Sequence, residues 1–166
     1  VQLYALRSAR NWGIGDFSDL AALVELAARA GAALVGINPL HALFLDAPER
    51  ASPYSPSDRT ALNALYIDVQ AVPEFDECAA ARQHVAAPAF QRRLATLRAA
   101  PLVDYTAVAS IKLGLLERLH RHFRELHIAR RLTGAEGVWP PQKMDELLTW
   151  LKKMSADDAK YIILEH

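Results

Sequence analysis

The chain has 166 residues, 52% of them hydrophobic, with 19 basic against 19 acidic side chains, so it can bury one sizeable core and carries no surplus charge. That balance excludes charge-driven binding to nucleic acid or to an anionic membrane as its main business. No run of about 18 apolar residues offers a membrane span, and residues 1–13 lack the pattern of a secretory leader. The single cysteine, Cys78, excludes an intrachain disulfide and reads as a small residue at a helix start. A reducing compartment, most simply the cytoplasm, is expected.

Val1 to Leu6 is apolar and β-leaning, and Trp12-Gly13-Ile14-Gly15 reads as a turn whose glycines permit positive φ. Asp16 is placed as an N-cap with Asp19 three residues on in the capping-box position. A helix over Phe17–Ala30 follows, with Leu20, Leu23, Val24 and Ala27 as its apolar stripe and Gly31 as its stop. Ala33 to Leu40 is a continuous apolar run that suits a strand buried on both faces. Strand, helix and strand would form a parallel βαβ unit, with the loops 7–15 and 38–63 side by side at the carboxyl ends of the strands.

The loop that follows carries Pro48, Pro53 and Pro56, the polar residues Ser52, Ser55, Asp58 and Asn63, and the aromatic Tyr54. Its composition suits a rigid binding loop and equally an ordinary ordered surface loop. A β-type run, Ala64 to Val69, resumes after it. The remainder is helical: Ala87–Ala99, stopped by Pro101, then Tyr105 to about Arg131 after Asp104. The apolar positions of that last helix are Val108, Ile111, Leu115, Leu116, Leu119, Phe123 and Leu126. Met144–Met154 and Asp157–Leu164 are further helical candidates.

Most sites that chemistry could use have a plain structural reading. Arg118, His120, Arg121, His122, Arg124, His127, Arg130 and Arg131 form a basic stretch, interrupted by Glu117 and Glu125 as on a solvated helix face. His41 stands at a strand end, where an imidazole could contact a substrate or make a structural hydrogen bond. No neighbours at metal-ligand spacing surround it. The glycine turn lacks the third glycine of a dinucleotide loop. The acidic clusters near Glu74, Asp145 and Asp157 fit helix starts rather than an acid/base pair.

Four blocks in order, NWGIGDFSDL at 11–20, GINPLHALF at 36–44, SPYSPSDR at 52–59 and LNALYIDV at 62–69, closely resemble the amylomaltases, the 4-α-glucanotransferases of glycoside hydrolase family 77. QLYALRS near the start resembles the first barrel strand of the long-form bacterial branch, and residues 103–123 are similar to its helical insertion. The resemblance covers roughly residues 1–130. It implies an α/β fold: the N-terminal portion of a (β/α)8 TIM barrel, two or three strands, over residues 1–75, then a mainly helical insertion over 76–131. It further implies a cytoplasmic, cofactor-free enzyme transferring α-1,4-glucan segments between maltooligosaccharides by a retaining two-carboxylate mechanism. Ser52 and Tyr54 would then face the donor sugar, Asn38, Pro39 and His41 would shape the same wall, and Trp12 to Asp16 the neighbouring loop.

Departures limit what this chain could do alone. No stretch matches the family's nucleophile, acid/base or stabilising carboxylates, and a full barrel needs about 250 residues. No catalytic residue is therefore expected within these residues. Residues 132–166 do not resemble the family. They hold Lys143, Lys152, Lys153 and Lys160 but no arginine, a shift expected of a fused or frameshifted end, and the final Leu-Glu-His matches the head of a common histidine tag. Two other readings stay open. One is a non-catalytic α-glucan-binding module with Tyr54 and Trp12 as a stacking platform. In the other, the helices after Asp104 mediate self-association.

Overall fold

A computed structural model describes residues 1–132, with side chains as far as Leu126. The element order is a 3-10 turn at Leu3–Ala5, helix α1 (Phe17–Arg29), strands β1 (His41–Ala42) and β2 (Asp58–Leu62), 3-10 turns at Ala64–Tyr66 and Val69–Ala71, and helices α2 (Glu74–Glu77), α3 (Ala79–Ala86), α4 (Pro88–Ala99) and α5 (Tyr105–Leu132). The helical candidates at 144–154 and 157–164, and the tail from 133, lie outside the described residues.

Helix α1 starts where its signals place it. The Asp16 side chain accepts from the Asp19 amide and Asp19 returns the bond to the Asp16 amide, a complete capping box. Its end is a Schellman motif, with Ala32 N–H bonded to Ala27 C=O and Gly31 N–H to Ala28 C=O. The stripe on this helix is only partly covered: Leu20, Leu23 and Ala27 are half-buried, Val24 is exposed, and the helix's buried residue is Asp19.

The expected parallel βαβ unit is reduced to a single bridge. The Val1 amine donates to Gly36 C=O (2.6 Å) and Asn38 N–H donates to Val1 C=O (3.1 Å), the register of a parallel ladder centred on Val1 and Ile37. Neither flank continues as a strand. Leu3–Ala5 turns into a 3-10 helix, and residues 33–40 form no strand beyond this bridge, with Leu34 85% exposed. An apolar run becomes a buried strand only when neighbours occupy its edges and faces along its length, and here Val1 and Leu3 meet it at residues 36–38 and Asn63 at Leu40.

The sheet that does form is antiparallel and was hidden inside the loop. β1 pairs β2 with an irregular register, His41 opposite Leu62 and Ala42 opposite Asp58. The run expected as a strand, Ala64 to Val69, instead folds into 3-10 turns. Asn63 and Asp68 each accept from the amide two residues on, Leu65 and Gln70, so side-chain caps outcompete the ladder.

Helices α4 and α5 agree closely with expectation, α4 beginning with Pro88 at its first turn and α5 opened by Asp104 accepting from the Ala107 amide (2.9 Å). Val108, Ala109, Ile111, Leu115 and Leu119 of α5 enter one apolar cluster with Leu3, Trp12, Ile14, Leu40, Leu65, Tyr66, Phe75, Phe90 and Leu94. The α5 stripe is thus occupied within the chain as far as Leu119, and Phe123 beyond it is exposed. The N-terminal segment and the helical segment share this core.

Candidate functional site

The 43–57 loop is tied at both ends. Ser57 N–H and hydroxyl both bond Ala42 C=O, the hydroxyl also reaching Leu43 C=O, while Asn63 N–H bonds Leu40 C=O (2.9 Å). Between these ties Ser55 N–H closes a turn onto Ser52 C=O (3.1 Å), Pro53 is buried, and Arg50 stacks over Phe44 at 3.6 Å. Burying Pro53 forces its neighbours outward. Ser52 is exposed and Tyr54 is 67% exposed, so a phenol ring stands free on a rigid turn.

Asn38 takes a different place from that of a surface wall residue. It is buried, its Oδ1 accepting from Leu3 N–H (2.7 Å) and its Nδ2 donating to Pro39 C=O (2.8 Å). Pro39 is half-buried beside it. His41 is half-buried in β1, near enough to Asp58 to favour that carboxylate. Asp58 is held below the usual carboxylate range chiefly by the Thr60 hydroxyl and amide.

Trp12 does not join Tyr54 as a platform. It is 2% exposed, packs edge-on against Phe90 (5.2 Å) and donates Nε1–H to Gln70 (3.3 Å). Burial follows from the glycine turn it opens: Gly13 has φ +84, and Gly15 lies so close to Leu3 that a Cβ would stand 2.0 Å from the Leu3 carbonyl oxygen. The turn folds inward and carries the indole with it.

Behind the wall lies a charged junction that sequence reading missed. Arg10 pairs with Asp16 (2.8 Å), Asp19 (2.8 Å) and Asp68, and Asp68 also accepts from the Ser18 hydroxyl (2.7 Å). Asp19 takes a further bond from Asn11 Nδ2 (2.8 Å). Burial alone would raise the Asp19 carboxyl, but hydrogen bonds from Asn11, Ser8 and the Asp16 amide, with the Arg10 charge, hold it below the usual range. The junction ties the 7–15 loop to the turn that closes the 38–63 loop. Asp68 lies beyond the 38–63 loop, so these ion pairs join the 7–15 loop to the turn that follows it and not to the loop itself.

Two cations from the helical segment reach this region. Lys112, 1% exposed, donates to Leu65 C=O (2.7 Å) and Ile67 C=O (2.8 Å). Burial pushes its ammonium down to about 8, against the pull of Asp16, Asp68 and Asp19. Arg98 donates to Asn11 C=O (2.7 Å) and Arg10 C=O (3.0 Å). A signal for Lys112 was present: it stands four residues after Val108 and three before Leu115, a lone cation inside an apolar stripe.

Over residues 117–125, Arg118, His120, Arg121 and Arg124 of the basic stretch are exposed. Arg121 pairs with Glu117 one turn away (3.3 Å), and the shallow groove there is lined by Glu117, His120, Arg121, Arg124 and Glu125, charges of both signs. Among the described residues no three His, Cys, Asp or Glu side chains are placed to hold a metal ion, and no helix is long and apolar enough to cross a membrane.

Comparison with known proteins follows the same lines. The family model described as 4-alpha-glucanotransferase matches residues 1–148. The match therefore runs past residue 132 into the stretch expected to depart from that family. A 4-alpha-glucanotransferase of Haemophilus influenzae is 48% identical over 124 residues, 75% of this chain but 18% of the relative. One from Mycobacterium tuberculosis is 48% identical over 81 residues, 45% of this chain and 11% of the relative. The crystal structure of amylomaltase from Corynebacterium glutamicum superposes with a TM-score of 0.61 at 26% identity, covering 99% of this chain and 28% of that one. The chain spans less than a fifth of the length of the Haemophilus relative.

Proposed function

Because the chain belongs to the 4-alpha-glucanotransferase family, we propose that it supplies one wall of an α-glucan site, as the opening portion of a (β/α)8 barrel. The transferase acts on maltooligosaccharides, and its nucleophilic and acid/base carboxylates lie outside this chain. The observation that carries the reading is Tyr54, an exposed ring on a turn fixed by Pro53 burial and by the Ser57 bonds. A ring held this way offers a stacking face to a sugar with little ordering cost. Ser52, exposed beside it, offers a hydroxyl to the same sugar.

The other wall residues have narrower roles in this reading. His41 stands at the head of the loop as a further contact. Asn38 and Pro39 fix the loop's root, and Trp12 supports the wall from within the core. In the retaining mechanism of such enzymes one carboxylate attacks the anomeric carbon and another donates and then removes a proton. The wall's part is to hold the donor while a sugar hydroxyl, rather than water, completes the transfer.

Titrating the chain with maltotriose while following backbone amide shifts tests this. Saturable shifts confined to residues around 41–57, and lost in Tyr54→Ala, are expected. No shift at millimolar maltotriose would count decisively against the wall. Incubated with maltotriose, the chain by itself should form no longer oligosaccharides, and their appearance would place the catalytic carboxylates within it.

A further inference from the structure

The helical segment holds the 7–15 loop and the turn after the 38–63 loop by the same device, a cation spanning two main-chain carbonyls. From α4, Arg98 bridges Arg10 C=O and Asn11 C=O, 88 and 87 residues away. From α5, Lys112 bridges Leu65 C=O and Ile67 C=O, 47 and 45 residues away. The two gripped stretches are those joined by the Arg10–Asp68 pair. They also flank the Trp12–Gln70 bond.

We infer that Arg98 and Lys112 are positioning residues, a pair of carbonyl clamps that set the 7–15 loop and the 63–68 turn against each other. The helical segment thereby fixes the root of the binding wall. The consequence for saccharide rests on the wall proposed above; the clamping itself does not.

The geometry separates clamping from general support. The carbonyls of Leu65 and Ile67 belong to residues on either side of Tyr66, whose backbone sits in a 3-10 turn capped at Asn63. A 3-10 turn leaves its last carbonyls without helical partners, and a buried carbonyl without a donor is costly. Lys112 supplies donors for two of them from one ammonium. The Arg10 and Asn11 carbonyls precede the positive-φ Gly13, where the backbone reverses and no regular ladder can reach. A planar guanidinium, presenting parallel donors, suits two successive carbonyls. Removing either cation frees one loop while leaving the apolar cluster of Leu3 to Leu119 in place.

Hydrogen exchange on Lys112→Met and Arg98→Met tests the clamps. Lys112→Met should lose protection at the Asn63 and Tyr66 amides, which bond Leu40 C=O and Asn63 C=O, and Arg98→Met at Gly13 and Gly15, with α4 and α5 amides unchanged. Arg98→Lys and Lys112→Gln, each keeping a donor, should restore part of that protection, and they carry the test if either methionine variant fails to fold. Maltotriose affinity should fall by roughly tenfold in each methionine variant. Unchanged local protection overturns the clamps, as does a uniform loss across the helices, which would make both residues general stabilisers. If the parent chain binds no maltotriose while protection falls locally, the wall is wrong and the clamps stand. If it binds and the variants bind equally, the clamps do not set the wall.

Discussion

Lys112 gives the molecule a distinct response to alkali. Its folded-state value of about 8 lies below the 10.5 of an exposed lysine, because burial disfavours the charge. Between those values the unfolded chain binds the extra proton, so stability should rise as pH goes from 8 toward 10 and be lower as pH falls through 8. The span corresponds to about 3 kcal/mol. Above pH 10 the trend should reverse, since burial raises the Tyr66 and Tyr105 phenols and their ionisation then favours unfolding. Urea midpoints at pH 7.5 and 9.5 would measure this, and Lys112→Met should show a flat profile. Gly15 makes a second expectation. An alanine there meets the Leu3 carbonyl at 2.0 Å and the Leu6 Cβ at 2.9 Å, so backbone must move, at roughly 2–4 kcal/mol by urea denaturation. Sequence alone marked Gly13 and Gly15 as a turn, but Gly15 is required for close approach rather than for φ. Arg98 was not legible, because its partners are main-chain carbonyls, and of the Arg10 pairs the one to Asp68, 58 residues away, leaves no pattern in the sequence.

Local signals were strongest where a helix is set by its own ends. Asp16 and Asp19 named the start of α1, Asp104 the start of α5, and periodicity the core side of α5. Strands were misplaced because an apolar run does not report pairing. Residues 33–40 have the composition of a strand and no ladder, whereas Asp58–Leu62, exposed throughout, does pair. Two substitutions separate these cases. Asp16→Ala removes the cap and two Arg10 bonds and should cost about 1–3 kcal/mol, seen as a lower thermal midpoint. Leu34→Ser, at an 85% exposed position, should change stability by less than about 0.5 kcal/mol despite its apolar run. A large loss there would mean that the residue is covered in the native molecule.

The first 75 residues and the helices that follow do not fold as separate pieces in this architecture. Trp12 packs on Phe90, Gly13 faces Leu97, and the α5 residues Val108 to Leu119 share a cluster with Leu3 and Leu40. Truncation after residue 75 removes most of that cluster. The shortened chain should lack protected amides and show a random-coil circular dichroism spectrum, while residues 1–132 should unfold in one cooperative transition. The composition of the proposed wall, a loop of prolines with Ser52 and Tyr54, stands in the sequence. Its support was not legible there, since the helices that hold it lie far along the chain.

The long span of the Arg98 clamp also imposes an order of events during synthesis. Asn11 leaves the ribosome 87 residues before the guanidinium that will hold its carbonyl. At ordinary elongation rates that interval is about 4–17 s. Through it the 7–15 loop has its glycines and its Asp16 cap but no grip from α4, and Trp12 has no Phe90 to cover it. The nascent rim thus emerges with an indole uncovered, a natural point for a chaperone to engage until α4 arrives.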